Sequence, residues 1–121
     1  MSAAFHFDGE AFWGTNGSVE AYLESLRDNA ERTYGPSDPV AVFFRNARDG
    51  FFGGNVVYLD ECLVDESACR RFVRILDEAT AELLGTNAFT DLGRNWVATV
   101  IAQLRQKVVE ASLRPCPSSP E

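Results

Sequence analysis

The chain has 121 residues, 45% of them hydrophobic and 24% charged, a balance that suits one folded domain and is too short for two ordinary ones. Eighteen acidic against eleven basic side chains leave a net charge of −7, which excludes general binding to nucleic-acid backbones and disfavours anionic membrane surfaces. Three cysteines without repeated spacing exclude a disulfide framework, the amino terminus lacks the basic region and apolar run of a secretory signal, and no stretch approaches the roughly 18 apolar residues of a membrane span. A cytoplasmic protein is expected.

Phe5 and Phe7 alternate with His6 and Asp8, so residues 5–13 read as extended, punctuated by Gly9 and Gly14 and followed by a turn at Thr15-Asn16-Gly17. A helix is predicted from about Ser18 to Tyr34. Ser18 is the expected cap, Val19, Tyr22, Leu23, Leu26 and Ala30 share one face, and Gly35-Pro36 ends it. Residues 38–49 carry two signals. Asp38-Pro39 is a good helix start and Gly50 a good stop, yet Val40 to Phe44 is also the continuous apolar run of a buried strand. The helix is preferred.

Asn55 to Leu59, β-branched and aromatic between Gly53-Gly54 and Asp60-Glu61, is the best strand in the chain. A further helix is predicted from about Asp65 to Leu84, with Phe72, Val73, Leu76, Ala79 and Leu83 on its apolar face. A last one runs from about Thr90 to Leu113 and carries Leu92, Trp96, Val100, Ile101, Leu104 and Val108. Val97, Val109 and Ala111 broaden that face, which means either deeper burial or a homodimer seam. The tail 114–121, with three prolines and no apolar period, is expected to be disordered. The expected architecture is a single helix-rich α+β domain over 1–113, with three or four helices packed on a small sheet. The alternative is a mainly α fold with one short hairpin.

The chemistry-bearing residues are few. His6, Asp8 and Glu10 would share a strand face as metal ligands or a tuned imidazole, but such a trio also fits a solvated face. Asp60, Glu61, Asp65 and Glu66 form an acidic corner, with no regular oxygen spacing around a glycine, so helix capping explains it better than calcium. Cys62 and Cys69 have one histidine, His6, to work with, and inert buried thiols are the commoner outcome. Arg70, Arg71 and Arg74 lie on one helix, where Arg74 can pair with Asp77 or Glu78. The glycine-rich run 50–55 leads into a strand, not a helix, so it is no phosphate cradle. Phe51 and Phe52 there either pack inward or form an exposed aromatic anchor.

No catalytic set, cofactor motif or metal site follows. The expected role is a protein-interaction module of inhibitor, immunity or adaptor type that binds a basic partner. Its expected contact residues are Phe51, Phe52, Asp60, Glu61, Asp65 and Glu66, with a second acidic group at Asp77, Glu78 and Glu82. The alternatives are a small enzyme or ligand-binding domain with an aromatic pocket, and a homo-oligomeric structural subunit.

Overall fold

The computed structural model describes residues 2–51, 55–86 and 89–113, so Phe52 and the tail 114–121 lie outside the described residues. The chain opens with a hairpin, not one strand. β1 (Ser2–Phe7) pairs antiparallel with β2 (Glu10–Thr15), and Phe7 stands opposite Glu10. Asp8 and Gly9 form the two-residue loop between them, both with positive φ (51° and 83°). That is the type I′ geometry for which Asp-Gly is the favoured pair. The reading of 5–13 as one extended segment is corrected accordingly. The His6, Asp8, Glu10 trio dissolves with it, because Asp8 belongs to the turn.

Thr15, rather than the expected Ser18, caps α1 (Asn16–Tyr34): its Oγ1 accepts from the Ser18 amide at 3.1 Å. Gly35, at φ 93°, closes the helix. Segment 38–49 is helical. The Asp38 carboxylate accepts from Val40 N at 2.9 Å, and Pro39 opens α2 (Pro39–Asp49) where no amide is needed. β3 (Val56–Tyr58) then joins β1 in parallel, giving the strand order β2-β1-β3. A 3-10 turn (Leu59–Glu61) leads to Asp65, whose carboxylate accepts from Ala68 N at 2.8 Å and caps α3 (Glu66–Leu84). The last helical run is not uniform. α4 (Asp91–Trp96) passes through a π-turn (Val97–Ile101) into α5 (Ala102–Ser112).

The result is a helix-rich α+β fold, with four helical runs on a three-stranded sheet among the described residues. One core joins them. Ala3, Phe5 and Phe7 from β1, with Phe12 and Val57 beside them, meet Tyr22, Leu23 and Leu26 of α1 and Phe72 and Leu76 of α3. Leu104 and Val108 of α5 complete it. Each of the Phe, Leu and Val side chains among them contributes roughly 1.5–3 kcal/mol by leaving water. Alternation along the strands turns Ala4, His6, Trp13 and Tyr58 to the opposite sheet face, and Ala4, though buried, is outside that core. Among the described residues, no helix is long and apolar enough to cross a membrane.

Candidate functional site

The acidic residues expected to meet a partner are largely engaged within the chain. Asp60 Oδ2 lies 3.3 Å from His6 Nδ1, and its Oδ1 accepts from the Asp8 amide at 2.9 Å. One carboxylate thus ties the hairpin turn to the 3-10 turn. Asp65 is spent as a helix cap. Asp77 receives Arg105 in bidentate fashion at 2.7 and 2.9 Å, and Glu78 faces Arg74 Nε at 3.6 Å, as the four-residue spacing predicts. Glu82 accepts from the buried Ser25 hydroxyl at 2.7 Å, within a polar seam between α1 and α3. Glu61 and Glu66 make no ion pair among the described residues, and Glu61 is exposed. Phe51 is half-buried against the core, the inward packing that sequence left open.

The nucleophile and ligand candidates are similarly accounted for. Burial, above all, pushes the Cys62 thiol up to about 12, with Cys69, Glu61 and Asp60 adding to the effect. A thiol so held is protonated near neutrality and is a poor nucleophile. His6 is turned to Asp60 and tilts against the Tyr58 ring, with centroids 5.1 Å apart. Arg71 pairs with Asp38 and lies 5.0 Å above the Tyr34 ring. No group of three or more His, Cys, Asp or Glu side chains among the described residues is arranged to hold a metal ion.

The distinctive surface lies elsewhere, where β2 meets α4 and the π-turn. A groove of 610 Å³ opens there, lined chiefly by Trp13, Gly14, Thr15, Phe89, Leu92, Trp96 and Val100. Its construction is local and steric. The Trp96 indole Nε1 donates to the Trp13 carbonyl oxygen at 2.6 Å. Gly14 makes this approach feasible, since a Cβ at that position would come within 2.6 Å of the Trp96 ring. Tyr22 stacks on Phe89 at 6.0 Å and meets Trp96 edge-on at 5.6 Å, so the floor is an aromatic cluster. The rim is open: Trp13 is 52% exposed and Leu92 76% exposed.

Sequence reasoning missed this site. It placed Leu92 in the buried stripe of one continuous helix, whereas α4 presents it to solvent before the π-turn shifts the helical phase. Trp96 is half-buried, packed against the core but lining the groove. Val97, expected to broaden the apolar face through either deeper burial or a homodimer seam, is in the core, so deeper burial accounts for that part of the face. One signal was present: glycines accompany the bulky aromatics, Gly14 giving room to the Trp96 ring and Gly93 lying tight against Phe89.

Several polar groups around the groove serve the fold, while the Ser2 and Asn95 side chains, also in the lining, make no hydrogen bond among the described residues. Thr15 donates to the Ser18 hydroxyl at 2.9 Å while accepting its amide, Thr90 caps α4, and Thr99 donates to Asn95 O at 2.8 Å. The surface that faces solvent is mixed, somewhat more apolar than polar. Neither a family model, a curated protein nor a solved structure matches this chain.

Proposed function

We propose that this protein is a protein-interaction module that docks a basic partner by seating an apolar side chain in the groove between Trp13 and Leu92. The observation that carries the reading is the exposure of these two large side chains at the mouth of an aromatic-floored groove. Large aromatic anchors such as Trp supply much of the affinity of protein interfaces, and exposed apolar patches around them mark interaction sites. The volume is also within the span of small-ligand sites, about 300–1,000 Å³, but such sites gain specificity from converging free polar groups. Here Thr15, Thr90, Thr99 and the Trp96 N–H are committed to capping and backbone contacts, Ser2 and Asn95 are the polar side chains left over, and among the described residues no charged side chain lines the groove. That difference favours the binding module over an enzyme or a small-molecule carrier.

The net charge of −7 favours a basic partner, through faster encounter rather than tighter grip. Asp91, exposed beside Leu92 and in no ion pair among the described residues, is the carboxylate nearest in sequence to the rim. The free thiol of Cys62 accords with a reducing, cytoplasmic setting.

The test uses the full chain as bait in native lysate, alongside Leu92→Asp and the distant surface control Val64→Asp. A protein retained by wild type and Val64→Asp but lost by Leu92→Asp supports the reading, provided its binding slows with added salt. Retention by all three baits counts against it. Both tryptophans of the chain line the groove, so a small metabolite that shifts their emission while no protein is captured would favour the ligand-binding alternative.

A further inference from the structure

The opposite edge of the sheet carries a second groove, of 370 Å³, between α2 and β3. Phe43, Asn46 and Ala47 of α2 form one wall. Val56 and Tyr58 of β3 form the other, with Glu61 at its end. β3 is an outer strand in the order β2-β1-β3.

The direction of its backbone groups follows from the register. Ala4 stands opposite Val56 and donates its amide to Asn55 O at 3.2 Å. In a ladder, successive residues turn their polar groups to alternate sides, so Asn55 and Val57 address β1. The N–H and C=O of Val56 and the N–H of Tyr58 therefore point into the groove. On the other edge, β2 has its outward Trp13 carbonyl covered by the Trp96 indole. Among the described residues, β3 has no proline, lysine or bulge of the kind that blunts an open edge, and its three-residue length limits what can pair with it.

We infer that this groove accepts an extended segment of a partner protein as an added strand beside β3. Backbone groups of the segment pair with Val56 and Tyr58, and an apolar side chain packs against Phe43 and Ala47. A Lys or Arg lies by Glu61, which is exposed and forms no ion pair among the described residues. The occupant is identified by the outward-facing backbone, which calls for a strand, and by the carboxylate, which calls for positive charge. The site is separate from the tryptophan groove and does not depend on it.

A phage-displayed library of randomised peptides, panned against the full chain, tests the assignment. Enriched peptides should alternate apolar residues and contain Lys or Arg. Adding one should slow amide hydrogen exchange at Val56 and Tyr58 by about tenfold or more. Methylating the peptide nitrogen that faces Val56 should abolish binding, and Glu61→Lys should weaken it about tenfold while leaving the melting temperature unchanged. Unchanged exchange at Val56 and Tyr58 would overturn the proposal. So would peptides lost by Leu92→Asp but kept by Glu61→Lys, or protection of these amides by self-association at high concentration without peptide.

Discussion

The indole nitrogen of Trp96 bonds the carbonyl oxygen of Trp13 across 83 residues of chain, and this contact joins the free edge of the sheet to the last helical run. It satisfies an outward-facing acceptor on an edge strand. It also lays a large ring over Gly14, and so builds the wall of the groove.

The seat of that ring predicts the response of Gly14. Gly14→Ala forces Trp96 to move, and overpacking of this kind costs about 1–3 kcal/mol. Trp96→Phe keeps a ring but removes the donor, a loss of about 0.5–1.5 kcal/mol for a partly exposed hydrogen bond. Urea unfolding of both variants measures this. A neutral Gly14→Ala would mean the indole is not seated over β2.

Leu104 and Leu92 were indistinguishable as members of one apolar stripe, yet they are 0% and 76% exposed. Leu104→Ala should therefore cost roughly 2–5 kcal/mol. Leu92→Ala should fall within about 0.5 kcal/mol of wild type. Equal losses in thermal or denaturant unfolding would contradict the placement of α4.

Asp60 and Glu61 are neighbours with different work. Removing the Asp60 carboxylate strips an acceptor from the Asp8 amide and the partner from His6, so Asp60→Ala should lose about 0.5–2 kcal/mol. Glu61→Ala should leave stability within about 0.5 kcal/mol. Chemical denaturation distinguishes them. Equal stability of the two variants would remove the proposed tie between the hairpin turn and the 3-10 turn.

With its thiol pushed up to about 12 from 9.0, Cys62 should react slowly with iodoacetamide at pH 8 and speed up only when unfolded. The linkage has a definite sign. A raised folded-state value means the contribution is intact below pH 9 and is lost as pH rises toward 12. Mass spectrometry of alkylated peptides resolves Cys62 from the other thiols. Rapid native modification at Cys62 would contradict its burial.

Local signals carried much of the fold. Asp38-Pro39, Asp65, Gly35 and Gly50 mark helix ends in the structure because capping chemistry acts over a few residues. The hairpin was legible too, since Asp8-Gly9 is a strong turn signal, but alternation through Phe7 masked it. The groove was not legible. It depends on a π-turn that shifts helical phase after Trp96 and on a contact between residues far apart in sequence. The acidic patches also looked free in sequence because their partners, Arg105, Ser25 and the Asp8 amide, arrive through tertiary packing.

We propose the groove beside Trp13 and Leu92 as the docking face. The most direct measurement is the affinity of the captured partner for wild type, Leu92→Asp and Val64→Asp, followed by tryptophan emission. Leu92 and Val64 are similarly exposed, at 76% and 74%, so neither change should unfold the chain. Leu92→Asp should weaken binding about tenfold or more, with an emission shift on binding that Val64→Asp preserves. Equal affinity of all three proteins, or binding with no change in tryptophan emission, would contradict it.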